Sequence, residues 1–208
     1  MYPVRTPSVI RTLAPYAVWT LPAEEKVVYL TFDDGPTPGI TEQALDILRQ
    51  HRAKATFFCL GKNVAANPGL FSRLTEEGHH VGHHSWSHAD GWKSENYAYI
   101  REVLKGAHTV NTSLYRPPYG RITPRQAQSI CQRFRLIMWD IISGDFDIHL
   151  SPETCTHNVV RNARPGSIIV FHDSVKAAPR MLKSLPEVLK ILREKGYRFE
   201  PVPYEGSR

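Results

Sequence analysis

Apolar runs of strand length alternate along this chain with segments patterned for helices, and that alternation restricts the fold more than any other feature. The runs are KVVYLTF (26–32), KATFFCL (54–60), HHVGHHS (79–85), SLYRPP (113–118), FRLIMWDII (134–142), GSIIVFH (166–172) and GYRFEPV (196–202). Several are continuously apolar, as strands covered on both faces should be. Helices are expected at 41–51, where Ala44, Leu45 and Leu48 share one face, and at 68–77, which opens on a proline and stops at Gly78. Others are expected at 95–106, ending at Gly106, and at 123–133, 151–163 and 179–195. Seven strands and six helices in strict order predict parallel strands joined by right-handed crossovers. That many strands, with no GxGxxG after the first, favour a barrel or barrel-like closure over an open dinucleotide-binding sheet.

At 208 residues the chain is expected to be one domain, with its core at about 26–200 and residues 1–25 as an N-terminal extension. Such a chain buries about 70% of the surface that its unfolded form exposes, so it needs no disulfides. The three cysteines, Cys59, Cys131 and Cys155, are odd in number, widely spaced and without a CxxC pair. They point to buried thiols rather than a disulfide framework or a cysteine-rich zinc site. The net charge of +6 is spread out. Its densest cluster, Lys190, Arg193, Lys195 and Arg198, reads as a solvated helix face, and no nucleic-acid-binding signature accompanies it. No run approaches the roughly 20 apolar residues of a membrane span. Prolines 3, 7, 15 and 22 break the N-terminus, which has no apolar core of signal length, so a cytoplasmic location is expected.

The ionisable residues are not scattered. Asp33 and Asp34 end the first run, His84 and His88 follow the third, and Arg116 and Tyr119 follow the fourth. Asp145 follows the fifth run, and His172 and Asp173 end the sixth. In parallel barrels the strand C-termini carry the active site. His84 and His88 form an H-x3-H pair able to meet one ion, and Asp34 would add a third ligand. Three protein ligands and an open position are a catalytic arrangement, and imidazole suits zinc, cobalt, nickel or iron better than magnesium or calcium. Each feature also has a plainer reading. An isolated H-x3-H pair is common on surfaces, RPPYG makes a rigid turn, and His172 could be a satisfied core histidine. Trp86, Trp92, Tyr97 and Tyr99 could stack on sugar rings or simply pack.

Taken together, TFDDGPT, HSWSH (84–88), RPPYG (116–120), the Asp145-Phe146 stretch and IIVFHD resemble the five ordered motifs of the polysaccharide deacetylases, the NodB-homology carbohydrate esterases of family 4. The resemblance covers about 26–200. It implies an α/β fold, a distorted or incomplete (β/α) barrel, and hydrolytic removal of acetyl groups from an N-acetylated sugar polymer or oligosaccharide. It assigns Asp34, His84 and His88 to a divalent metal, most often Zn2+ with Co2+ or Ni2+ as alternatives. Asp33 becomes the general base, kept oriented and charged by Arg116, and the backbone N–H of Tyr119 helps form the oxyanion hole. Asp145 orients His172, which protonates the departing amine, while Pro117, Tyr119 and Phe146 contact the substrate.

The chain departs from the family pattern in three places. His83 stands where Asn is frequent and is expected beside the ion without ligating it; Phe146 replaces a Trp; Ile142 replaces a polar residue. These changes bear on substrate fit. Alternatives within the resemblance are an acetyl-ester hydrolase acting on O-acetylated xylan and a catalytically silent carbohydrate-binding relative. The partner is an acetylated carbohydrate, with no nucleic acid and no membrane span. Oligomeric state leaves no mark in the sequence.

Overall fold

The computed structural model describes residues 2–22 and 24–203. Eight strands form one sheet: β1 (Val27–Asp33), β2 (Ala55–Cys59), β3 (His80–His83), β4 (Leu114–Tyr115), β5 (Arg135–Leu136), β6 (Ile141–Ile142), β7 (Ile168–His172) and β8 (Arg198–Phe199). Their order is β5-β4-β3-β2-β1-β7-β6, with β8 also on β1, and every strand pairing is parallel. Eight α-helices intervene: α1 (Ser8–Leu13), α2 (Thr41–Gln50), α3 (Gly61–Ala66), α4 (Pro68–Glu76), α5 (Asn96–Val110), α6 (Pro124–Ile130), α7 (Pro152–Asn162) and α8 (Ala178–Glu194).

The strands read as expected, with one change. The run at 134–142 splits into β5, which pairs with β4, and β6, which pairs with β7. One stretch of chain therefore touches both ends of the sheet, which curls into an incomplete barrel. Val28, Leu30 and Phe32 of β1 pack outward against α2 and α8 through Leu45, Leu48, Leu185 and Leu189. A smaller cluster of Phe58, Leu114, Ile137 and Ile168 occupies the other face. Adjacent residues of a strand point to opposite faces, so the central strands are buried, and mostly apolar, on both faces.

Three helical features differ from expectation. Helix α5 continues past Gly106 and stops at Asn111, which takes the left-handed cap conformation at φ 54°. Gly106 is there for proximity instead: a Cβ on it would lie 2.6 Å from the Ser85 backbone, so the helix can press against the loop after β3. Helices α1 and α3 are six residues each, lack a side-chain cap and carry too little periodicity to announce themselves.

The N-terminal segment is sewn onto the sheet. Ile142 N–H donates to the Val4 carbonyl at 2.9 Å, Thr6 N–H to Asp140 at 2.9 Å, and Met138 N–H to Val18 at 2.8 Å. Arg5 and Arg11 both reach the buried carboxylate of Asp140, whose second oxygen accepts from Ser167 Oγ at 2.6 Å. Trp19 and Leu21 of the same segment are buried. The thiols of Cys59 and Cys155 are buried and all three cysteines are free. Among the described residues, no helix is long and apolar enough to cross a membrane.

Candidate active site

The parallel register brings five strand ends to one level. Asp33 is opposite Phe58 on one side and His172 on the other; Cys59 is opposite His83, and His83 opposite Tyr115. The residues that come next, Asp34, His84, Arg116 and Asp173, therefore leave the sheet together, as the parallel architecture requires. The backbone here is strained. Asp34 (φ 85°), Ser85 (φ 65°), His88 (φ 69°) and Tyr119 (φ 59°) all occupy the left-handed region. Each such residue costs about 1–3 kcal/mol and persists only where its surroundings enforce it.

Asp34 Oδ1 lies 3.2 Å from His88 Nε2 and 3.8 Å from His84 Nε2. One ligand atom from each of the three lies within 4.8 Å of the others. His84 Nδ1 is 2.7 Å from the Arg116 carbonyl, which places the proton on Nδ1 and frees Nε2 to face Asp34. Burial pushes the His84 pKa down to about 4, so the ring is neutral near pH 7, as a ligand must be. Burial alone would raise the pKa of Asp34, but His88, His172 and His84 outweigh it and hold the carboxyl well below its usual range. Its Oδ1 is nevertheless buried without a well-directed hydrogen bond. An ionised carboxylate with an orphaned oxygen, beside the imidazole nitrogens of His84 and His88, is a donor set that fits a divalent cation of the zinc type.

Next to this cluster, Asp33 Oδ1 accepts from Arg116 Nη1 at 2.7 Å. Arg116 is fully buried and spends its other donors on Thr31 Oγ1 (2.7 Å) and on the carbonyls of Ile137 (3.1 Å) and Met138 (2.9 Å). Those carbonyls lie in the seam where the 134–142 run passes from β4 to β7. The broken strand thus supplies acceptors for a guanidinium that also lies 4.1 Å over the Phe58 ring.

Across the cleft, His172 Nδ1 lies 2.7 Å from Asp145 Oδ1, and its backbone N–H donates to Asp145 Oδ2 at 2.7 Å. The imidazole therefore turns Nε2 toward the cleft. Burial disfavours the imidazolium, but Asp145, with Asp34 and Asp33 beyond it, pushes the pKa of His172 up to about 9. Asp173 faces the other way. It accepts from Gly35 N–H at 3.0 Å and from Thr41 Oγ1 at 2.5 Å, and so ties the turn after Asp34 to α2. Burial and the nearby Asp34 raise the pKa of Asp173 to about 7.

Asp33, Asp34, His84, His88, Tyr119 and His172 all line one cleft of about 710 Å³, with Trp139, Ile142, Phe146 and Val170 as its apolar wall. Arg116 and Asp145 are buried behind Asp33 and His172 and contact them directly. Pro117 is buried as well and does not line the cleft. The His83 ring turns away from the Asp34–His84–His88 cluster. It stacks on Tyr115 at 4.6 Å and meets Phe134 edge-on at 5.0 Å, because neighbouring residues at a strand end face opposite ways. Tyr99 is core, hydrogen-bonded to Tyr115 at 2.7 Å, whereas Trp92 is 66% exposed. Arg121 stacks between Trp92 (5.2 Å) and Tyr119 (5.3 Å), which extends an aromatic ledge outward from the cleft.

The family model for polysaccharide deacetylases matches residues 20–133. The chain belongs to the polysaccharide deacetylase family. It is 32% identical over 194 residues to a peptidoglycan-N-acetylglucosamine deacetylase of Bacillus cereus, covering 90% of this chain and 91% of the relative. It superposes on the Bc1960 peptidoglycan N-acetylglucosamine deacetylase, solved with 4-naphthalen-1-yl-N-oxidanyl-benzamide, at a TM-score of 0.87 and 33% identity, covering 93% of this chain and 94% of that one. A mutant of the pseudoenzyme BA3943 with restored activity aligns at a TM-score of 0.77 and 25% identity, over 89% of this chain and 69% of that one. Membership of the polysaccharide deacetylases accounts for the motif order. It does not account for Trp139, Arg121, Lys176 and Tyr2, which also line this deacetylase's cleft and which motif reading passed over. Trp139 lay hidden inside an apolar run read as one strand; Tyr2 is brought in from far along the chain, and no local pattern marks it.

Proposed function

We propose that this deacetylase removes acetyl groups from N-acetylated hexosamine chains, with peptidoglycan glycan strands as the substrate class, using a divalent cation, zinc by preference, held by Asp34, His84 and His88. The observation that carries the proposal is the placement of that ligand cluster and of His172 on opposite sides of one cleft, with Asp33 beside the cluster. When bound, the cation supplies a Lewis acid that polarises the amide carbonyl and lowers the pKa of water toward 7. Asp33 takes the proton of the attacking water, and Arg116 keeps its carboxylate aimed through the 2.7 Å contact. The Tyr119 backbone N–H donates to the carbonyl oxygen as charge builds on it. His172 delivers a proton from Nε2 to the nitrogen as the C–N bond breaks, and Asp145 fixes the tautomer that makes this possible. The Trp92–Arg121–Tyr119 ledge offers stacking surface for a neighbouring sugar ring, which supports a chain rather than a monosaccharide as substrate.

Acetate release tests this, measured with metal content on peptidoglycan strands, N-acetylated glucosamine oligomers and O-acetylated xylan. Release from the N-acetylated substrates that requires one bound cation per chain is expected. Release from xylan alone would replace amide by ester chemistry, and a stoichiometrically loaded protein that releases nothing from any of them would leave a binding protein.

A further inference from the structure

The N-terminal segment reaches the cleft and touches the proton donor's surroundings. Tyr2 lines the cleft together with Phe146 and His172. Its ring lies 5.0 Å from that of Phe146 at a tilt of 43°, and Phe146 meets the His172 imidazole edge-on at 5.3 Å. Phe146 thus stands between Tyr2 and the imidazole. The Tyr2 hydroxyl donates to Asp147 Oδ2 at 3.3 Å. Gly144 admits it: this residue sits at φ 87°, and a Cβ there would come within 2.9 Å of the hydroxyl. The segment that carries Asp145 is held from inside as well, where Arg180 Nε donates to the Asp145 carbonyl at 2.6 Å.

This contact is not a loose end touching a surface. The Val4 carbonyl accepts from Ile142 N–H, and Asp140 accepts from Thr6 N–H and from the Arg5 guanidinium. The N-terminal segment is therefore in register with residues 140–142, only a few positions before Asp145 and Phe146. Burial and the neighbouring Asp147 push the Tyr2 pKa up to about 12, so the hydroxyl keeps its proton and remains a donor.

We propose that Tyr2 is a positioning residue that also sets specificity: it holds Phe146 against His172 and so keeps the cleft beside the proton donor narrow enough for a small N-acyl group. Remove the Tyr2 ring and one face of Phe146 opens to water; the side chain gains rotamers, and the imidazole loses its apolar backing. This inference rests on the deacetylase reading above, in which His172 protonates the leaving nitrogen.

The test uses the full chain with Tyr2→Ala and Tyr2→Phe, on N-acetyl and N-propionyl glucosamine oligomers. Tyr2→Ala is expected to lower kcat on the acetyl substrate about tenfold with little change in KM, the loss that a small misplacement of a catalytic group produces. It should also raise the propionyl-to-acetyl ratio of kcat/KM and leave metal content unchanged. Tyr2→Phe keeps the ring and should recover most of both. Tyr2→Leu serves in place of Ala if the latter lowers the melting temperature. A second readout needs no substrate: the ring-current shift of Phe146 on the His172 imidazole protons, read by NMR, should vanish in Tyr2→Ala and persist in Tyr2→Phe. Wild-type kcat and an unchanged acyl ratio in Tyr2→Ala would overturn the inference. So would equal loss in Ala and Phe, which would assign the effect to the hydroxyl. If the wild-type chain releases no acetate, the deacetylase reading fails, while the NMR comparison still decides whether Tyr2 positions Phe146.

Discussion

On the side of the cleft that carries Asp34, His84 and His88, two of the three side chains hang from left-handed backbone, and Asp34 Oδ1 has no proper hydrogen-bond partner. On the side that carries His172, the histidine ends a regular strand, and both oxygens of its partner Asp145 are taken up at 2.7 Å. A buried acceptor without a donor costs about 1–3 kcal/mol, which a cation at that oxygen would relieve. The second arrangement needs nothing from outside. The contrast teaches that one cleft joins a cluster with an unsatisfied acceptor to a self-contained carboxylate–imidazole pair, and that the two should be separable by mutation.

The sharpest way to break that comparison is to remove a ligand. Asp34→Ala or His88→Ala should abolish stoichiometric metal binding and cut kcat/KM by about 10⁴-fold, the several kcal/mol a Lewis acid supplies. Atomic emission on the purified variants checks this; either one holding a full equivalent of metal would dissolve the proposed ligand set. Next in size are Asp33→Asn and His172→Ala, each expected to lower kcat by about 10²–10⁴-fold with metal still bound. Metal loss in Asp33→Asn would mean that the two aspartates have exchanged roles.

The pH profile sharpens the comparison further. His172 has its folded pKa raised above the ordinary 6.5 to about 9. The stabilisation of its protonated form is therefore complete below pH 6.5 and is lost as pH rises through about 9, and the basic limb of kcat should fall over that upper range. Asp145→Asn should bring the limb toward 6.5, because Asp145 supplies the largest upward push. Loading the cation should move it down too, because Asp34 supplies part of the same push. A limb indifferent to both changes would remove His172 as the acid. The smallest effect concerns the ledge. Trp92→Ala should weaken KM for an oligomer about tenfold, the change that ~1.4 kcal/mol of stacking produces, while a monosaccharide is unaffected. Equal effects on monomer and oligomer would count against the stacked ring.

Much of the fold is legible in the sequence. The continuous apolar runs mark parallel strands, and the ionisable residues following five of them mark the end of the sheet where the cleft opens, since both signals are local. The extent of α5 is not legible locally, because Gly106 looks like a stop and is instead a point of close approach to Ser85. The 134–142 run looked like one strand because hydrophobicity records burial and not pairing partner. Its division between β4 and β7 depends on how the sheet closes.

The stretch HHVGHHSWSH shows where that boundary lies. Its composition alone decided that imidazoles would be concentrated in the third strand and the loop after it. Tertiary structure sorted them: His79 accepts from Ala55 N–H, His80 meets the Val202 carbonyl, His83 turns into an aromatic cluster, and only His84 and His88 approach Asp34. The reason is geometric. Alternation along a strand says that neighbours face opposite ways, but which face closes on the site follows from register with strands tens of residues away. The same long-range pairing draws Tyr2 to Phe146 across more than a hundred residues of chain, a contact no local pattern could encode.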